Sequence, residues 1–193
     1  MEEKLSAQDG LVAGIGHNSG LHDTLEAKGI FTVECFDAEG NLKWSDHFHN
    51  TVVTVGKNLI LDQALAGSAY TVTGPYLGLI SSTSYSSISA ADTMSSHAGW
   101  LEAGATNAPT YTSPRKTAAW SSASSGSKAL SASLSYSITG TGTIKGAFMV
   151  AGSGAVSTID NTSGTLISAG LFSGGDRAVL NGDTVTVSYS MAL

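Results

Sequence analysis

His47 and His49 stand two positions apart in a stretch predicted as a strand, so both imidazoles project from one face. Such a pair can clamp a divalent metal if a third ligand, such as Asp46, joins from a bend. No Cys/His/Glu cluster elsewhere completes the set, so the histidines read as part of a solvated strand face. No metal and no other cofactor is expected. Asp92, His97 and Ser113 offer the residue types of a Ser/His/Asp set, but no Gly-x-Ser-x-Gly elbow presents a nucleophile. In a chain this rich in serine such coincidences are expected. The structural alternative has Asp92 and His97 hydrogen-bonding loop backbone while Trp100 pins the loop into the core. No catalytic residue is therefore assigned, and the chain is not read as an enzyme. Ser124–Lys128 lacks the Gly-x-x-x-x-Gly-Lys frame of a phosphate loop, and no strand leads into the glycines of Gly14–Gly20.

The elements that must position these residues are mostly strands. The chain has 193 residues, 41% of them hydrophobic, enough for one domain with a real core. Only 12% are charged, about half the usual share. Ser, Thr, Gly and Ala fill the gap, a composition that suits sheet faces and turns better than helix surfaces. The formal charge is -6, with nine basic residues scattered among fifteen acidic ones, so nucleic-acid binding through a basic face is not expected. The single cysteine, Cys35, alternates with Phe31 and Val33 and reads as a small buried residue. The acidic start and the lack of a long apolar run predict neither a signal peptide nor a membrane span, and folding in a cytoplasm.

Residues 1–28 read as a flexible N-terminal arm, with isolated apolar points at Leu11, Val12, Ile15 and Leu21 and a short helix near Leu21–Lys28. Residues 29–193 read as a single β domain. Ile30–Phe36 and Leu42–Phe48 flank a hairpin loop, Asp37–Asn41, and Thr51–Val55 continues as β. Lys57–Ala66 is the helix candidate, with Leu59, Ile60, Leu61, Ala64 and Leu65 as its apolar stripe and Gly67 as its stop. Tyr76–Ile80 is a strand, and Ser81–Ser113 a long loop of the kind that forms contacts. Leu130–Ile138 and Val185–Leu193 alternate apolar with Ser or Thr, the mark of strands with one buried face. Thr139–Gly142 reads as a hairpin-like turn into a strand at Ile144–Val150, and Asn181-Gly182-Asp183 turns into the last strand. The expected fold is mainly β, an antiparallel sandwich or jelly-roll-like barrel with one short helix and an extended N-terminal arm.

Several segments occur in an order that resembles virion proteins of tailed bacteriophages and prophages. They are Asn50-Thr51-Val52 through Gly56 to Leu59, then Tyr76-Leu77-Gly78-Leu79, then Asp92-Thr93-Met94 with His97, Gly99-Trp100 and Glu102. Arg115 after Tyr111 and Ser113, Gly146-Ala147-Phe148, and Gly182-Asp183-Thr184 with Val187 complete the order, from about residue 50 to the end. Within the arm, Ile15-Gly16-His17-Asn18-Ser19-Gly20 is similar to a motif near the N-termini of proteins from alphaproteobacteria and their phages. The resemblance implies a structural part of the virion, most simply a decoration or cement protein on the capsid surface. Its implied partners are the major capsid protein or other virion proteins and further copies of itself, with neither nucleic acid nor membrane. The arm motif is the expected partner-binding segment. Asp92, His97, Trp100 and Arg115 form the expected structural loop. A tail or fibre-associated adaptor is the second reading. A carbohydrate-binding or adhesin module, using Trp44, Trp100 and Trp120 as exposed platforms, is the third.

Overall fold

The computed structural model describes residues 26–65 and 73–193. Along the chain the strands and helix are β1 (Lys28–Phe36), β2 (Leu42–Val52), α1 (Thr54–Leu65), β3 (Tyr76–Ser81), β4 (Ala103–Gly104), β5 (Asn107–Thr110) and β6 (Lys116–Thr117). They continue with β7 (Ser127–Ala129), β8 (Leu134–Ser137), β9 (Gly142–Ala151), β10 (Thr165–Leu171), β11 (Arg177–Val179) and β12 (Thr184–Ala192). The described residues are mainly β with one short helix. Every ladder of the large sheet is antiparallel, and the small β4–β5 pair is parallel.

The large sheet bends into two halves that face each other and nearly close. In the first half β1 lies between β2 and β12, and β12 carries β7 and β8 on its other side. In the second, β9 pairs with β10, β3 and β11, and β3 carries β6 at the edge. β2 belongs to both: Trp44–His49 pair with β1, whereas Asn50–Val52 pair with β10. Between the halves Phe31, Val33, Tyr136, Val185 and Val187 pack against Leu77, Leu79, Ile144, Ala147 and Met149. The Tyr136 hydroxyl crosses this core to donate to the Leu77 carbonyl at 2.9 Å. In the hairpin after β1, the Asp37 carboxylate accepts the N–H groups of Glu39 and Asn41, and Gly40 takes φ +87°.

A second core lies outside the second half. Ile80, Phe148, Val150, Leu166 and Ala169 point away from the first core and are covered by Met94 and Trp100, carried on the long Ser-rich segment after β3. β9 and β10 are therefore buried on both faces through most of their length. Such strands lose the polar alternation of a half-exposed strand.

Several expectations need correction. β2 stops at Val52 and α1 begins at Thr54, because the chain turns where Val53 donates to the Ile167 carbonyl and Thr54 to the Ala90 carbonyl. The helix anchors through Gly56 and Leu59; Leu61 and Leu65 of the expected stripe are exposed, and Ala66 and Gly67 lie outside the described residues. The Thr139–Gly142 segment is not a hairpin turn. β8 pairs with β12 and β9 with β10 and β3, so here the chain crosses from one half to the other. Its glycines allow close passage: a Cβ on Gly142 would meet the Pro109 nitrogen at 2.7 Å. Nor is Leu130–Ile138 one continuous strand, since Ser131–Ser133 interrupt the pairing before β8. The arm boundary shifts slightly, with Lys28 already in β1. Ser81–Ser113 contains β4 and β5 besides its loop.

Candidate functional site

Arg115 is fully buried and forms two hydrogen bonds with the Glu102 carboxylate, at 2.8 Å through Nε and 2.6 Å through Nη2. Nη1 donates to the Val156 carbonyl at 3.1 Å and Nη2 also to the Asn161 carbonyl at 2.7 Å. The Asp160 N–H completes the carboxylate at 2.8 Å. The guanidinium also lies over the Phe148 ring. Two charges taken out of water survive only when paired and hydrogen-bonded in this way. The knot joins three stretches far apart in sequence: the end of the long loop, the approach to β6, and the segment between β9 and β10. With its oxygens held by buried donors, Glu102 is not placed to exchange protons with a bound substrate.

Trp100 is fully buried, and its indole N–H donates to Asp92 Oδ2 at 3.0 Å. The other contacts of Asp92 and His97 hold the loop: Asp92 Oδ2 accepts the Ser89 N–H, and His97 Nδ1 lies 3.0 Å from the Trp100 carbonyl. The imidazole stacks on the indole with centroids 4.0 Å apart. Asp92, His97, Trp100 and Glu102 thus belong to one folded loop, and Arg115 reaches it through Glu102. Sequence reasoning had no partner for Arg115. The Trp-x-Glu spacing, Trp100 to Glu102, was the available signal.

Asp46 sits on β2 opposite in direction to its histidine neighbours. Its carboxylate accepts bonds from the Ser173 N–H and hydroxyl, the Gly174 N–H and Arg177. Burial pushes its pKa up, but the bonds from Ser173, Arg177 and Gly174 outweigh it and hold the group at about 2. His47 and His49 project to the other, exposed side, where His47 meets the Thr32 hydroxyl at 2.9 Å. The three ligands of the imagined metal clamp are thus on two sides of one strand. Asp183, also buried, accepts from Lys43 and the Leu180 N–H, closing the turn into β12. The Cys35 thiol donates to the same carboxylate at 3.6 Å, and burial, then the Asp183 charge, push its pKa up to about 12.

The described residues leave two surfaces open. The first is the outer face of the β2–β1–β12–β8 sheet. The cross-strand registers set His47, Thr32 and Ser188 in one row, Ser45, Glu34, Thr186 and Ser135 in the next, and Phe36, Thr184 and Ser137 beyond. Ser133 joins the first row through a 2.7 Å hydroxyl bond to Ser188. Glu34 is the one charged residue in these rows. Unlike the opposite sheet, no described segment of the chain covers this face with a second core. The second surface is an apolar groove of about 740 Å³ between α1, the turn before β7 and the end of β12. Trp120, Met149, Ile167, Met191 and Leu193 help line it. The arm motif Ile15–Gly20 lies outside the described residues. Trp44 and Trp120 are half-buried and Trp100 wholly so. Compared with protein families, with curated proteins and with solved structures, the chain matches none.

Proposed function

We propose that this protein is a structural part of a bacteriophage virion, of the decoration or cement type, that docks on the major capsid protein lattice. The observation that carries the reading is the asymmetry of the sandwich. One sheet is sealed by the protein's own loop, whereas the described residues leave the other open, with cross-strand rows rich in Ser and Thr in which Glu34 is the charged residue. Such a face suits a broad polar contact in which many modest hydrogen bonds form together. A protein bound across subunit junctions stabilises the assembled state by mass action and by bridging neighbours. The phage-like order of segments supports the same reading. So does the internal use of the buried acids Glu102, Asp46 and Asp183, which leaves them tied to the scaffold.

The test compares particles with and without the protein for thermal release of DNA, and counts its copies in purified particles. Copies in register with the lattice and earlier DNA release in their absence are expected. Ser135→Lys and Ser137→Lys, both at exposed positions of the face, should leave the melting temperature nearly unchanged while abolishing docking. An unchanged thermal profile in the protein's absence would remove the cement role. A few copies per particle would place it on the tail.

A further inference from the structure

We propose that the apolar groove beside α1 is the seat of the chain's own N-terminal segment, with Leu11, Val12 and Ile15 as the inserting side chains. Four observations converge. The groove walls are built from Leu59, Ile60, Ala64, Met149, Ile167 and Met191, so its occupant is apolar. The first residue of β1, Lys28, is paired with Ala192, between the groove residues Met191 and Leu193, so the preceding chain enters the fold at the groove's rim. Ile15 precedes Lys28 by thirteen residues, a reach of about 40 Å when extended, so the segment can turn back along the groove. Last, Gln63 contributes to the wall, and its amide nitrogen is buried without a hydrogen-bond partner. An extended peptide brings carbonyl acceptors as well as side chains, which an apolar small molecule would not.

The same chain is the favoured source of the segment, because a tether that starts at the rim gives a high local concentration. An arm from a second copy must first find the groove. The seat does not depend on the virion reading, since both partners belong to one polypeptide.

The experiment uses the full chain carrying Ile15→Cys and Leu193→Cys. Leu193 is anchored at the rim by its N–H bond to the Gly126 carbonyl. Cys35 does not compete, being fully buried. Mild oxidation should give a disulfide within one chain, seen as a monomer with a shifted band on a non-reducing gel. The pair Ile15→Cys and Ser137→Cys is the negative control. Covalent dimers would assign the groove to a second copy's arm and overturn the proposal, as would two free thiols. Independently, the full chain with Leu11→Ser, Val12→Ser and Ile15→Ser should bind an anilinonaphthalene sulfonate dye with several-fold brighter fluorescence than the parent. Equal fluorescence in parent and variant would also overturn it.

Discussion

Replacing Arg115 by Met tests whether the buried knot holds the fold together. Met keeps much of the aliphatic bulk but removes all four hydrogen bonds that the guanidinium makes, two to Glu102 and one each to Val156 and Asn161. Glu102 is left with the Asp160 N–H in a site that is 4% exposed. Removing one partner of a buried ion pair costs about 3–5 kcal/mol. The two part-buried carbonyls that lose their donor add about 1 kcal/mol or less each, since water reaches them. The expected loss is therefore at least about 4 kcal/mol, a large part of a total stability on the order of 5–15 kcal/mol. For a domain of this size that is a fall in Tm of roughly 8–16 °C. The assay is urea unfolding followed by circular dichroism, with a thermal melt beside it. Glu102→Leu added to Arg115→Met removes the stranded charge, so the double variant should be more stable than Arg115→Met alone. Arg115→Lys should fall between, since an ammonium cannot hold a bidentate carboxylate and two carbonyls in the same plane. An Arg115→Met protein within 1 kcal/mol of the parent would refute the reasoning, as would strict additivity in the double variant.

Trp100→Ala should cost about 3–5 kcal/mol in the same urea assay, because it empties the second core over Phe148. An unchanged midpoint would mean the loop is not pinned by that ring. Asp46 has a folded pKa of about 2, below its ordinary 3.8, so its stabilisation is full above about pH 4 and is lost as pH falls toward 2. Asp46→Asn should lower stability by about 2 kcal/mol at pH 7 and flatten the profile between pH 4 and 2; parallel acid limbs for parent and variant would contradict this. Gly56→Ala should destabilise by about 1–3 kcal/mol although alanine is the better helix former, because its Cβ would stand 2.2 Å from the Ile167 carbonyl oxygen. A gain in Tm for that variant would show that α1 can lift off β10 at little cost.

What the sequence disclosed depended on whether a strand has a wet face. Val185, Val187 and Tyr189 alternate with Thr and Ser because β12 has core on one side and solvent on the other, so this strand could be read directly. Leu166-Ile167-Ser168-Ala169-Gly170 carries no such rhythm, since β10 is packed on both faces, and it passed unnoticed. The loop residues Asp92, His97 and Trp100 were legible as types with a structural task. The partnership of Arg115 with Glu102 was not, because they stand thirteen positions apart across the short strands β4 and β5, a spacing that no strand or helix period marks. The helix stripe misled for a related reason. Leu61 and Leu65 stand four apart, as neighbours on one helix face do, yet both are exposed and α1 rests on β10 through Gly56, whose missing side chain lets the backbones meet.

The pairing of β1 with β12 has a mechanical consequence. Lys28 lies opposite Ala192, so both strands enter and leave at one pole of the molecule. Tension applied between these two ends would peel the strands apart like a zipper, loading one pair of hydrogen bonds at a time. Tension applied across the sandwich from one sheet to the other would instead be shared by the crossing strand β2, the Tyr136 bond to Leu77 and the interlocked core. A tether on either end is thus the weak handle of this fold, and its broad faces are the strong ones.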